Sequence, residues 1–260
     1  MDELNLADAR EYIDSLPELK KEETFSFDCH PEVPCFNQCC AELTLPLTPY
    51  DIARLIRHTG LPSTQFLTTY TEMRTLEETG FPLFTLRMKM DPGEPCPFVS
   101  PVGCMVYEDR PSACRCYPLG RGTKLGPDGI IERFFMVHED HCHGFDEGTI
   151  RTPHEWMHNQ GLDSYNEFND RYMRLMALVQ ATEKPLDTRL QGMCRLCLFH
   201  LDQFRQMITK MRIFTHVTIS EDDTRLIMQD DIKGDEACLN FAFDWMELVI
   251  FGKAERLQRK

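Results

Sequence analysis

The chain has no run of apolar residues approaching the roughly 20 needed to cross a bilayer as a helix. Its first 24 residues, rich in Glu, Asp and Lys, hold no apolar core of signal-peptide length. Neither a membrane span nor export by the ordinary route is expected. Positive charge is also scarce: 28 Lys and Arg stand against 42 Asp and Glu, a net charge of -14. Nucleic-acid binders present a basic face, so neither nucleic acid nor membrane is expected as a partner. No Gly-rich phosphate loop, dinucleotide fingerprint or Ser-His-Asp order occurs, and no internal repeat, low-complexity tract or long flexible linker interrupts the sequence. A nucleotide-driven enzyme is disfavoured on those grounds.

What the sequence has in excess is cysteine, twelve in 260 residues. With no leader in view, a reducing, cytoplasmic setting is expected, where thiols are more often metal-binding or catalytic than disulfide-bonded. A disulfide framework is the competing reading. Cys29, Cys35, Cys39 and Cys40 fall within one short stretch, and Cys96, Cys104, Cys114 and Cys116 within another whose Pro and Gly residues bend the backbone enough to aim several sulfurs at one point. Cys142 follows between His141 and His143. Thiolates are soft ligands suited to zinc, copper(I) or iron–sulfur clusters, and one tetrahedral zinc or one four-iron cluster takes about four of them. Eight or nine thiols exceed one such site, so either two sites or one polynuclear site follows if all ligate. Cys39 and Cys40 are adjacent, and adjacent side chains point apart unless the backbone is bent. Two metals, or one ligand and one thiol behind it, are the easier geometries.

The remaining pattern predicts an α+β fold: a polar N-terminal arm over 1–24 with one short helix over 4–16, an irregular cysteine-rich metal-site domain with short strands over 25–150, and a helical domain over 151–260. Thr48-Pro-Tyr-Asp51 is a helix start with N-cap, Pro and an acid three residues after the cap; Ile52, Leu55 and Ile56 line one face and Gly60 stops it. A second helix is expected from Ser63. Residues 83–90 alternate as a half-buried strand, 120–129 reads as turn-rich, and 130–138 as another strand. Helices are then expected from the Thr152-Pro-His-Glu155 capping box, from Ser164 with Glu167 to about 182, over 186–213, after Ser220, and over 236–251, where apolar residues occupy most sides.

The order Cys35-x3-Cys39-Cys40, Leu47-Thr-Pro-Tyr-Asp51, Cys96-Pro-Phe, Cys104-x-Val-Tyr-x-x-Arg110-Pro-x-x-Cys114-Arg-x-Tyr117-Pro and Cys142-x-Gly144 resembles the YkgJ-type cysteine-cluster family, a zinc- or iron-chelating domain, over residues 25–150. The resemblance implies a prokaryotic protein whose partner is a metal ion, zinc or iron in an iron–sulfur cluster, held by Cys29, Cys35, Cys39, Cys40, Cys96, Cys104, Cys114 and Cys142. A related member type is the flagellin lysine N-methylase, which implies as an alternative an iron–sulfur-dependent, protein-modifying enzyme with a protein substrate. The gap from Cys29 to Cys35 is longer than the family's, and Cys116 occupies a position the family fills with another residue, which marks it as a bystander.

Other signals compete. Arg110 and Arg115 either offset thiolate charge or pin their loop to carboxylates. Tyr107 and Tyr117 read as packing. His154-Glu-Trp-Met-His158 is a literal HExxH with Glu155 as candidate general base of a zinc hydrolase, but the third ligand of the longer signature falls on Ser164, and a capping box accounts for the same residues. Cys194-x-x-Cys197 with His200 has metal or redox spacing inside a helical pattern, where core packing is favoured; Cys238 reads as core. His138, His141 and His143 flank Cys142 as reserve ligands.

Overall fold

The computed structural model describes residues 14–127, 129–146 and 148–260. Short antiparallel strands and helices alternate through the first half and helices fill the rest, which makes the chain α+β. In chain order the elements are β1 (Glu18–Leu19), β2 (Phe25–Ser26), β3 (Pro46–Leu47), α1 (Pro49–Thr59), α2 (Ser63–Tyr70), β4 (Thr71–Thr75), β5 (Pro82–Leu86), β6 (Val99–Ser100), β7 (Gly103–Cys104), α3 (Ser112–Cys116), β8 (Leu119–Gly126), β9 (Gly129–Met136) and β10 (Ile150–Arg151). Then come α4 (Pro153–Asn159), α5 (Asp163–Gln180), α6 (Thr188–Phe199), α7 (Leu201–Lys210), α8 (Glu221–Ile227) and α9 (Ile232–Phe251). The sheets are small: β1-β9-β8, β3-β5-β4, and the pairs β10-β2 and β6-β7. The helix expected over 4–16 lies, but for its last residues, outside the described residues.

Local chemistry explains most boundaries. Thr48 accepts the Asp51 amide at 3.2 Å while the Asp51 carboxylate accepts the Thr48 amide at 2.9 Å, and Gly60 closes α1 in the left-handed region at φ 66°. The capping box at Thr152 and Glu155 forms as expected and starts α4. Four expectations are corrected. Residues 120–126 are a strand, β8, not a turn, because Gly122 makes room for a ring on the neighbouring strand: a Cβ there would lie 2.9 Å from Phe135 Cε2. The strand expected over 83–90 ends at Leu86, since β3 and β4 offer no partners beyond it, and Met90 is fully exposed. α5 starts behind Leu162 with no side-chain cap, so Ser164 and Glu167 do not form a box. The helix expected over 186–213 breaks at His200 (φ -126°, ψ 63°). That bend sets the Asp202 carboxylate on the first turn of α2, where it accepts the Ser63 amide at 3.1 Å and hydroxyl at 2.6 Å.

One hydrophobic cluster runs from Phe25 to Leu257. Tyr50 of α1 stacks on Phe168 of α5 at 4.4 Å, and Phe84 of β5 meets Phe199 of α6 at 4.7 Å, so the cysteine-bearing segments are built on the helical layer. Cys194, Cys197 and Cys238 are fully buried in this cluster, and burial pushes the Cys194 and Cys238 thiols up to about 12. Among the described residues no helix is long and apolar enough to cross a membrane.

Candidate metal centre

Consecutive turns fold residues 30–40 back on themselves: Val33 bonds to His30 O, Phe36 to Val33 O, Gln38 to Cys35 O and Cys40 to Asn37 O, all at 2.9–3.0 Å. Asn37 takes a left-handed φ of 69°, a conformation Asn tolerates better than most residues. This is the bent backbone that Cys39 and Cys40 require if both are to face one region. The strand-like segment after Cys40 pairs with the one before Cys96: Ala41 bridges Pro95, and the Cys96 amide donates to Cys40 O at 2.8 Å. Val99 of β6 then pairs with Cys104 of β7, which brings the sixth thiol alongside.

Cys114 arrives on α3, and α3 is held by Asp51. This carboxylate is wholly buried and accepts the Ser112 amide at 2.7 Å and hydroxyl at 3.1 Å, in addition to its bonds from Thr48. One side chain thus caps α1 and the first turn of α3 together. At the other side, Cys29 and Cys142 are joined by the Asp28 amide bonding to Gly144 O at 3.0 Å, with Phe27 packed so closely on Gly144 that a Cβ would sit 2.4 Å from its ring. The His143 amide donates to Cys35 Sγ at 3.1 Å.

Several of the expected thiols lie near enough to feel one another. Burial, then repulsion from Cys39, Cys35 and Cys142, pushes Cys29 up to about 11; burial, then Cys96, Asp51, Cys104 and Cys39, pushes Cys114 up to about 12. Cys40 gives a hydrogen bond to Cys39, which holds Cys39 down at about 7 and Cys40 well above the thiol range. Burial raises Cys96 and Cys104, while amides of Phe98 and Val99, and of Val106, donate to their sulfurs. Such N–H donors favour the thiolate a metal needs.

Arg110 has Cys114 and Cys104 as neighbours, stacks on Tyr107 at 3.9 Å and donates to Tyr107 O at 2.7 Å and Gln160 Oε1 at 2.6 Å. Arg115 instead holds its loop together through the carbonyls of Glu108, Arg110 and Gln160 and packs on the Tyr165 ring at 4.8 Å. The Tyr117 hydroxyl is buried without a hydrogen-bond partner of ordinary geometry and faces the Cys142 thiol. Among the described residues no three Cys, His, Asp or Glu side chains converge as they would around a bound metal ion. The donor chemistry nonetheless suits a soft metal: free thiols on hydrogen-bonded segments, amides aimed at the sulfurs of Cys35, Cys96 and Cys104, and an orphaned hydroxyl against Cys142.

Cys116 lies elsewhere, 3.8 Å from Met157 Sδ, and its carbonyl accepts the Trp156 indole N–H at 3.0 Å. His138 stacks on Phe145 at 4.5 Å, and His143 pairs with Asp146 at 2.9 Å. In the HExxH segment Glu155 is engaged in its capping box, His154 lies against Phe134, and His158 bonds Asp163 at 2.6 Å. Sequence reasoning overlooked the second role of Asp51 and the backbone of His143; Tyr117 packs edge-on against Phe27 as expected.

Residues 28–143 match a family model, CxxCxxCC, whose description is "Putative zinc- or iron-chelating domain". No curated protein and no solved structure matches the chain.

Proposed function

We propose, on the premise that residues 28–143 are a domain of the CxxCxxCC family, that this protein binds zinc or iron, the latter as an iron–sulfur cluster, through Cys29, Cys35, Cys39, Cys40, Cys96, Cys104, Cys114 and Cys142. One observation carries the reading: segments far apart in sequence that bear these eight cysteines are tied to one another by specific hydrogen bonds, among them Asp28 to Gly144, Cys96 to Cys40 and His143 to Cys35 Sγ. The other four are accounted for as core or packing groups: Cys116, Cys194, Cys197 and Cys238 are buried among apolar side chains. Thiols gathered without a cation repel as they ionise, and a metal reverses the sign of that interaction. Its binding would then add to the folding stability of loops that have little regular structure of their own.

Within the site, amides of His143, Phe98, Val99 and Val106 orient the sulfurs, and Arg110 offsets part of the negative charge that four thiolates leave on a divalent ion. The bound group would hold the loops and supply whatever Lewis-acid or electron-transfer chemistry belongs to it. The setting that keeps twelve thiols reduced is the cytoplasm.

The test is elemental analysis with an absorption spectrum on protein isolated anaerobically. Colourless protein with stoichiometric zinc assigns zinc, and brown protein with iron and sulfide assigns a cluster. Protein that carries no metal and takes up none when offered zinc or iron with sulfide overturns the reading.

A further inference from the structure

The sequence alone leaves open whether eight thiols make one polynuclear site or two. The structure ties them in two sets by different hydrogen bonds. In one set the Asp28 amide bonds to Gly144 O at 3.0 Å, and the His143 amide bonds to Cys35 Sγ at 3.1 Å, which lash Cys29 and Cys35 to the Cys142 turn. In the other set the Cys96 amide bonds to Cys40 O at 2.8 Å, Val99 to Cys96 O at 3.2 Å, and Val99 pairs with Cys104, while Cys114 stands by on the helix that Asp51 fixes. The side-chain surroundings follow the same division, with Cys39 the thiol common to both. Cys29 has Cys39, Cys35 and Cys142 as thiol neighbours; Cys40 has Cys39, Cys114 and Cys96.

We infer that the Cys39–Cys40 peptide is the partition between two adjacent four-thiol centres, Cys29/Cys35/Cys39/Cys142 on one side and Cys40/Cys96/Cys104/Cys114 on the other. The inference rests on the metal-binding reading above and goes beyond it in number and membership. The turn at Asn37 leaves the Cys39 and Cys40 thiols hydrogen-bonded to each other, so the doublet sits where two neighbouring centres would adjoin. Each set then holds four sulfurs, the number that one tetrahedral zinc or one four-iron cluster takes. Cys114 also feels Cys39 across the division, as two adjoining centres require. The sets differ in their surroundings. The first faces the Tyr117 hydroxyl and the His143 amide, whereas the second carries the amides of Phe98, Val99 and Val106.

The experiment uses the full chain stripped of metal and titrated anaerobically with zinc(II), with native mass spectrometry for stoichiometry and alkylation with peptide mapping to locate protected thiols. Saturation at two zinc ions is expected, and thiols become protected in two sets of four with the memberships above. Cys35→Ser and Cys104→Ser should each halve the metal content while the opposite set stays protected. The wild-type titration stands even if a variant fails to fold. Protection of all eight thiols in one step with one metal group, or loss of all metal from a folded single variant, overturns the partition while leaving metal binding intact. Absence of any zinc uptake, with none of iron supplied with sulfide, overturns the metal-binding reading together with it.

Discussion

Replacing Asp51 by Ala tests how the site is attached to the fold. The carboxylate receives four hydrogen bonds, from the amides and hydroxyls of Thr48 and Ser112, and it is fully buried. Loss of an N-cap interaction costs about 1 kcal/mol. Loss of the charge-assisted bond from the Ser112 amide costs about 1.5–3 kcal/mol. Against this stands the relief of burying a carboxylate, whose pKa burial pushes up. A net cost of about 2–3 kcal/mol follows, which at 2–4 °C per kcal/mol for a chain of this size is a Tm drop of roughly 4–12 °C. Glu155→Ala is the control: it removes a box of the same chemistry at an exposed position and should cost about 0.5–1 kcal/mol. Calorimetry on both variants decides. If Asp51→Ala costs no more than Glu155→Ala, the account of one side chain clamping two helices fails.

Three further outcomes are expected. Gly144→Ala puts a Cβ within 2.4 Å of Phe27 Cε2 and 2.9 Å of Asp28 O; the overpacking should cost about 1–3 kcal/mol and lower metal retention by prising Cys29 from Cys142, measured by denaturant titration and metal analysis. Tyr117→Phe should fold and load normally yet lose metal to a chelator about 2- to 10-fold faster, because the orphaned hydroxyl facing Cys142 can no longer donate to that sulfur as a metal-bound thiolate, a bond worth about 0.5–1.5 kcal/mol; unchanged exchange would leave Tyr117 with packing alone. At Asp202, burial works against ionisation but bonds from Ser63 and Gln203 win and hold the carboxyl below its usual range. A depressed carboxyl contributes stability that is present above its unfolded pKa of about 3.9 and lost as pH falls through the folded value. Asp202→Asn should therefore flatten the acid limb of the stability curve below about pH 4, and an unchanged slope there would contradict it.

The candidate thiols and both capping boxes were legible because they are local: the spacing of cysteines and a Thr-Pro-x-acid tetrad carry their meaning in a few residues. Long-range roles were not. Asp51 announces itself as the cap of α1, but nothing near it says that Ser112, 61 positions on, uses the same carboxylate. Gly120 and Gly122 look like turn residues until Phe135 is seen lying across them. The break at His200 has no Pro or Gly to signal it; the gain lies in Asp202 reaching Ser63, 139 positions away. Likewise the division of the thiols depends on pairings such as Cys96 with Cys40 that only the folded backbone displays.

X-ray absorption at the metal edge of anaerobically isolated protein probes ligation by the cysteines most directly. Four sulfur neighbours per metal atom at about 2.3 Å are predicted, as expected for a thiolate-bound site. A first shell of nitrogen and oxygen at about 2.0–2.2 Å would contradict the account, because it would place the metal on His, Asp or Glu and leave the eight thiols without the role assigned to them.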